Sequence, residues 1–213
     1  MSGSGQYEVR EGDIIAPQGA NWEGSLGYLV RPGLAVTNKH VVPDVGTVVL
    51  HKRRQWGEGV VIGLAIKTVT WVKTSFWHWL LHVMFGKPLP GNKVDATLVA
   101  LKENVVVKPA FDLPRKIVEP RVGDKLYKRG RTTGETVGEI IADKVDIWVD
   151  MGNGVTLLFT DVYQFSNKTL PGDSGGVNYT PEGIVGITFA GPQTGDYGFG
   201  IKAKNIAEVF GLE

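Results

Sequence analysis

Short runs of β-branched and aromatic residues fill most of the chain, and this feature limits its fold more than any other. Ten such runs are separated by Gly, Pro, Asn or Asp, among them SLGYLV, EGVVIGLAI, VTLLFTDVY and GIVGITFA. Residues of the first kind favour strands and those of the second favour turns. Many short strands joined by turns predict an all-β sandwich or a pair of barrels. The 29 glycines suit the tight hairpins and corners of such folds.

Two segments predict helices instead. The C-terminal run KNIAEVFGLE has helical spacing of apolar residues, with Asn205 as the expected N-cap and Gly211 as the stop. Residues 74–85 contain no turn residue and predict a short amphipathic helix. Between the strand-rich halves, the Pro-bearing residues 108–124 predict a linker.

Charge and composition exclude several functions. The net charge of +1 gives no general attraction to nucleic acid, so we expect no nucleic-acid partner. The chain has no cysteine, which excludes disulfides and thiolate chemistry and favours a cytoplasmic or precursor-derived protein. Neither a signal peptide nor a transmembrane helix is predicted, and the compartment, the organism and the oligomeric state stay open.

The aromatic segment Trp71–Phe85 has two explanations. Three tryptophans and two phenylalanines lie within it, more than a solvated loop needs. They either pack into the core or form an apolar surface that docks a protein partner, another copy or a membrane face. His78 and His82 are one helical turn apart, a spacing that can suit a metal, but no carboxylate lies nearby. We therefore predict no metal site and no cofactor.

The segment LPGDSGGV carries the strongest functional signal. Ser174 lies between Gly172 and a Gly pair, directly after Asp173. Such a segment is either a tight turn or a loop that presents a nucleophile. A serine nucleophile needs a base, and the base needs an orienting group. His40 ends a β-branched strand in GLAVTNKHVV and Asp95 begins the apolar run DATLVAL, whereas His51 adjoins a basic run and is expected at the surface.

These segments together resemble the trypsin/chymotrypsin-like serine proteases. TNKHVV is similar to the histidine motif of that family, DATLVAL to its aspartate motif, and GDSGG matches its serine motif at every position. GRTTGETVGEI, at residues 130–140, resembles the bacterial alpha-lytic-type members. The resemblance implies two antiparallel six-stranded β-barrels with a short C-terminal helix. The first barrel, residues 1–110, would carry the histidine and aspartate, and the second, 111–213, the serine.

The resemblance also implies a role for each site residue. His40, Asp95 and Ser174 would form the catalytic triad of an endopeptidase that acts through an acyl-enzyme. The N–H groups of Gly172 and Ser174 would form the oxyanion hole. Asp173 would lie buried, where an unpaired carboxylate is costly. The resemblance to the alpha-lytic-type members implies that Arg131 is its fixed partner.

Substrate recognition is the least determined part of the sequence. The resemblance places Lys168 near the base of the specificity pocket and Thr188, Phe189 and Ala190 on its wall. Lys168 would favour an acidic side chain if it points inward, and we slightly prefer a small or medium apolar residue before the cleaved bond. Two alternatives remain for the whole chain: a non-catalytic binding module on a protease fold, and an esterase that uses the same triad.

Overall fold

The computed structural model describes residues 5–55, 57–152 and 154–212, and it is dominated by strands as the sequence predicts. Within these ranges, the first half of the chain contains nine strands and one helix. In order they are β1 Tyr7–Arg10, β2 Ile14–Pro17, β3 Gly24–Ser25, β4 Leu29–Arg31, β5 Leu34–Thr37, β6 Val48–Lys52, β7 Gly59–Thr68, α1 Phe76–Phe85, β8 Thr97–Leu101 and β9 Val105–Lys108. The second half contains six strands and one helix. These are β10 Lys125–Gly130, β11 Gly134–Asp150, β12 Thr156–Phe165, β13 Val177–Thr180, β14 Gly183–Ala190, β15 Gly198–Lys202 and α2 Ala203–Phe210.

The first half forms a curled sheet in the order β3-β2-β6-β7-β8-β5-β4. Its two end strands are halves of one bent stretch, residues 24–31. Between them, Leu26 exchanges backbone hydrogen bonds with Gly12 and Asp13, and Gly27 donates to Val36. The bend therefore joins the two ends of the sheet. Counted once, it gives the six strands that the sequence predicts for this barrel.

The second half forms a closed barrel in the order β10-β11-β12-β15-β14-β13. All of its strand pairs are antiparallel. The all-β fold with two curled sheets and a short C-terminal helix is confirmed.

One apolar core extends across both halves of the chain. Val36, Val94 and Leu98 from the first half lie in the same buried cluster as Phe159 and Ile187 from the second barrel. Residues 109–124 link the halves and contain no strand, apart from an isolated bridge between Ile117 and Ile184. The division at residue 110 stays a prediction, but the shared core means that the two halves pack directly against each other.

The two helices differ in burial. In α2, Ile206 and Phe210 are buried, whereas Val209 is half-exposed. The helix begins at Ala203 with Lys202 as N-cap, so the prediction of Asn205 as the cap is wrong. Helix α1 has no buried residue at all. Among the described residues, no helix is both long enough and apolar enough to span a bilayer.

Candidate active site

Strand register brings His40 to Asp95. β5 pairs antiparallel with β8, with Thr37 opposite Thr97, so residues just beyond the end of β5 lie beside those just before β8. Asp95 is completely buried, and its Oδ2 contacts the Nδ1 of His40 in a short hydrogen bond. Its Oδ1 accepts the backbone N–H of His40 at 3.1 Å, and Asn38 donates to its carbonyl at 2.7 Å. Two bonds from one carboxylate fix both the backbone and the ring of the histidine.

Ser174 and His40 line the same cleft. The cleft has a volume of about 330 Å³ and is bordered by residues from both halves of the chain. The Ser174 hydroxyl contacts the carbonyl of Phe189 at 3.4 Å, at the long end of hydrogen-bond distances. The Phe189 ring lies edge-on to the His40 ring, with centroids 6.1 Å apart. The structure thus brings the predicted nucleophile, base and orienting carboxylate to one side of the barrel junction.

The loop before Ser174 has a backbone shape that favours glycine. Gly172 has φ +100, and a Cβ added to it would lie 2.4 Å from the Arg131 guanidinium. Within the described ranges, no hydrogen-bond acceptor is found for the N–H of Gly172 or of Ser174. Two unpaired N–H groups beside a nucleophile are the donor pattern of an oxyanion hole.

Ser25 ties this loop to the first sheet, a role that the sequence analysis missed. Its N–H donates to the Ser174 carbonyl at 2.8 Å, and its Oγ donates to the Gly172 carbonyl at 2.8 Å. The same Oγ accepts the N–H of Arg131 at 2.9 Å. Because both carbonyls are bonded to Ser25, the two peptide groups that they belong to are held at fixed angles. A serine at the start of a strand run carries no sequence signal for such a contact.

The partner of Asp173 is Lys128, so the prediction of Arg131 is wrong. The Lys128 ammonium lies 3.0 Å from Asp173 Oδ2, and both side chains are completely buried. The carboxylate also accepts hydrogen bonds from the backbone of Leu170, Thr132 and Thr133 and from the Thr133 hydroxyl. Burial alone would raise the pKa of Asp173, but the Lys128 charge and these hydrogen bonds hold it below its ordinary value.

Arg131 lies on the other side of the loop. Its guanidinium contacts Glu23 at 3.3 Å and covers Gly172, so it cannot also reach the pocket that holds Asp173. The burial pattern of β10 explains why Lys128, and not Arg131, pairs with Asp173. Leu126, Lys128 and Gly130 alternate along the strand and all point inward. This period of two could have identified Lys128 as the inward-facing cation.

Two of the four predicted substrate residues lie in the cleft wall. Phe189 and Ala190 line it, but Lys168 is exposed outside it and Thr188 points away, with its hydroxyl bonded to Asn178 at 3.0 Å. The predictions for Lys168 and Thr188 are therefore wrong. Alternation along β14 turns Thr188 into the barrel, and Lys168 lies on the solvent side of its loop. The remaining lining residues are Val149, Asp150, Met151, Thr169, Leu170, Pro171, Gly191, Pro192 and Gln193.

The other histidines have structural partners. His51 is buried, contrary to the surface position expected, and bonds the Tyr7 hydroxyl at 2.8 Å. His78 and His82 form hydrogen bonds at the two ends of α1. The described ranges contain no group of three or more His, Asp or Glu side chains placed to hold a metal ion.

Solved structures of other proteins have the same fold as this chain. No protein-family model matches the chain, and a search of curated proteins finds no significant match. Among solved structures, the chain is similar to a chymotrypsin from Cellulomonas bogoriensis, with 20% identity, a TM-score of 0.66 and coverage of 97% of this chain and 98% of that one. It is similar to protease A from Thermobifida fusca, with 18% identity, a TM-score of 0.68 and the same coverage.

A third similar structure is a protease from Nocardiopsis, with 19% identity, a TM-score of 0.67 and coverage of 96% of this chain and 97% of that one. At these identities the similarity establishes the fold, while function depends on the residues of the site.

Proposed function

We propose that this chain, which has the two-barrel fold of chymotrypsin-like proteins, is a serine endopeptidase. One arrangement carries the proposal. His40 is hydrogen-bonded to the buried Asp95 and lines the same cleft as Ser174. In the described residues, the N–H groups of Gly172 and Ser174 have no acceptor. A binding protein has no need of all of these groups together. The protease names of the similar structures support the same conclusion.

The proposed reaction proceeds in two steps through an acyl-enzyme. His40 Nε2 takes the proton of the Ser174 hydroxyl while Oγ attacks the carbonyl carbon, and the carbonyl electron pair moves onto oxygen. The oxyanion is stabilised by the N–H groups of Gly172 and Ser174. The C–N bond then breaks, and His40 gives its proton to the departing amine. Water repeats the sequence on the ester, which releases the acid and restores Ser174.

Asp95 supports both proton transfers. Because its Oδ2 accepts a hydrogen bond from His40 Nδ1, the neutral ring keeps its proton there and presents Nε2 as the base. The buried carboxylate also stabilises the imidazolium that forms in each step. The second contact, from the His40 backbone to Oδ1, prevents the histidine from moving away when the ring charge changes.

The lining of the cleft favours an apolar side chain before the cleaved bond. Most of the wall is apolar, with Val149, Met151, Leu170, Phe189 and Ala190 around it. Among the described lining residues, Asp150 is the one Asp, Glu, Lys or Arg, and it is exposed and accepts the N–H of Gly152 at 2.8 Å. We expect the peptide to run alongside the end of β14 as an additional strand.

A profile of peptide cleavage tests this function. A library of fluorogenic peptides that vary at the residue before the cleaved bond is incubated with the wild type and with Ser174→Ala, and the products are identified by mass spectrometry. We expect cleavage after medium and large apolar residues and none by the variant. Removal of a triad member lowers kcat by a factor on the order of 10⁴ or more.

Two results would contradict the proposal. Hydrolysis of nitrophenyl esters without any peptide cleavage would assign an esterase. Tight binding of library peptides by the wild type and Ser174→Ala alike, without cleavage by either, would assign a binding module.

A further inference from the structure

Helix α1, Phe76–Phe85, exposes an apolar surface that no other part of the described chain covers. None of its ten residues is buried. Six apolar side chains are more than half exposed, with Trp77 at 69% and Phe76 and Phe85 at 67% each; the others are Trp79, Val83 and Met84. Exposed apolar surface that is concentrated in this way marks an interaction site.

The helix is joined to the rest of the protein by a fixed neck, which consists of Trp71, Val72 and Asn92. Asn92 accepts the N–H of Val72 at 2.7 Å and donates to its carbonyl at 3.0 Å. These two bonds connect the chain before the helix with the chain after it. Asn92 also donates to the Leu158 carbonyl in the second barrel at 3.1 Å. Trp71 packs edge-on against Phe159, with ring centroids 6.2 Å apart. Hydrogen bonds hold the neck together and join it to the second barrel. The fold itself therefore keeps the helix in its exposed position.

The polar groups of α1 are used within the helix and its caps. His78 Nδ1 accepts the backbone N–H of Ser75 at 3.1 Å, and His82 Nδ1 bonds the Lys87 carbonyl at 2.8 Å. Gly86 ends the helix in the left-handed conformation, with its N–H bonded to the His82 carbonyl. Ser75, His78 and His82 therefore form one narrow polar stripe, and apolar side chains occupy the rest of the circumference.

The charged residues of the chain segment that carries α1 have one sign. Residues 70–94 include Lys73, Lys87 and Lys93 and contain neither Asp nor Glu. A second copy that packed its own α1 segment against this one would bring the same lysines and no carboxylate from that segment to meet them. An anionic lipid surface supplies the opposite charge, and tryptophan is favoured at the depth of the lipid headgroups.

We propose that α1 docks the protein on an anionic lipid bilayer, with the helix lying in the interface. Ten residues span about 15 Å, half of the hydrocarbon thickness, so the helix is too short to cross the bilayer. Phe76, Trp77 and Trp79 would lie at the boundary between the headgroups and the acyl chains, and the lysines at the two ends would contact lipid phosphates. This site lies outside the cleft, and the proposal does not depend on peptidase activity.

Vesicle co-sedimentation tests the proposal. The wild type is mixed with large unilamellar vesicles of pure phosphatidylcholine, or of phosphatidylcholine with about a third phosphatidylglycerol, at low and high salt. We expect binding to the anionic vesicles and a partition coefficient at least about tenfold lower on neutral ones or at high salt.

Two variants identify the surface. Trp77→Ser/Trp79→Ser is expected to lower the partition coefficient at least about tenfold, because both side chains are exposed and their apolar area drives insertion. Lys73→Gln/Lys87→Gln is expected to lose most of the preference for anionic lipid. Trp148→Ser is the matched control, since Trp148 is 53% exposed on β11, outside this segment, and we expect it to bind like the wild type. Circular dichroism melts establish that each variant is folded.

Three outcomes would overturn the proposal. They are no binding of the wild type to anionic vesicles, equal binding to both lipid compositions, and unchanged binding by Trp77→Ser/Trp79→Ser. A dimer in sedimentation velocity that the same tryptophan variant abolishes, without vesicle binding, would assign the surface to a second copy instead. Peptide cleavage is measured separately, so loss of that activity leaves the lipid result unaffected.

Discussion

Lys128 and Asp173 form a buried ion pair behind the loop that carries Ser174. Both side chains have no solvent exposure, and the Lys128 ammonium also donates to the Thr133 hydroxyl at 2.7 Å. Removal of one partner from such a pair leaves an uncompensated charge in a medium that solvates it poorly. The position of the nucleophile loop therefore depends on Lys128, which lies 45 residues earlier in the chain.

We expect Lys128→Met to lower the free energy of unfolding by about 3–5 kcal/mol, because Asp173 is left buried and unpaired. Urea unfolding followed by tryptophan fluorescence measures the change. Lys125→Met, on the exposed end of the same strand, is the control and is expected to change stability by less than about 0.5 kcal/mol. If Lys128→Met were neutral and Arg131→Ala severely destabilising, the sequence-based pairing would be right and this one wrong.

The oxyanion loop can be tested through its glycine. We expect Gly172→Ala to lower kcat by about 10²-fold or more, because a side chain disfavours φ +100 and displaces the N–H that stabilises the oxyanion. Gly19→Ala is the matched control: its φ is +81, but an added Cβ has no neighbour within 4 Å and the residue lies outside the cleft. Equal kcat for the two variants would exclude the proposed role of this loop.

At the scale of elements, α2 is attached to the second barrel through Asp161. This residue has a φ of +60 and lies within β12 at a bulge in its pairing with β11, and its carboxylate contacts Lys202 at 2.6 Å and Asn205 at 3.0 Å. Asp tolerates the left-handed region better than most residues do. This backbone conformation therefore turns the Asp161 side chain out of the strand toward the first turn of the helix.

We expect Asp161→Ala to lower the free energy of unfolding by about 1–3 kcal/mol, because it removes both contacts and keeps a strained backbone. Asp161→Asn retains an acceptor and the same backbone tolerance, so its loss is expected to be smaller. Urea midpoints rank the two variants, and hydrogen exchange in α2 reports whether the helix has loosened. A wild-type midpoint for Asp161→Ala would exclude this attachment.

Some of the strands and helices could be predicted from the sequence, but not all of the contacts that they make. Strand runs and turn residues predict the all-β architecture because both signals are local, and the family motifs predict which residues meet in the cleft. The partner of Asp173 was missed because it depends on which face of β10 points inward. The exposure of α1 was also beyond local patterns, since an aromatic helix has the same sequence whether or not another element covers it.

At the scale of the whole molecule, Asp13 connects the two halves. It accepts hydrogen bonds from the Arg129 side chain of the second barrel at 2.8 Å and from the Arg10 backbone at 2.7 Å, and His51 lies 3.3 Å away. Burial opposes ionisation, but the contacts with His51, Arg10 and Arg129 outweigh it and lower the pKa of Asp13 to about 2. The ionised carboxylate is thus favoured in the folded protein.

This pKa predicts an acid-sensitive part of the stability. The folded value lies below the ordinary value of 3.8, so the contribution of Asp13 is present above pH 3.8 and is lost as the pH falls toward about 2. We expect the wild type to exceed Asp13→Asn in urea midpoint at neutral pH, and the difference to shrink over that interval. A difference that stays constant down to pH 2 would show that the charge of Asp13 is not responsible.

The central claim is that His40, held by Asp95, activates Ser174 in a folded cleft. Its most direct test is covalent labelling with a fluorophosphonate, followed by peptide mapping of the modified residue. We predict a single label on Ser174 in the wild type, labelling slowed by at least about 10³-fold in His40→Ala, and none in Ser174→Ala. A folded wild-type protein that takes no label at Ser174, or takes it equally fast without His40, would contradict the account.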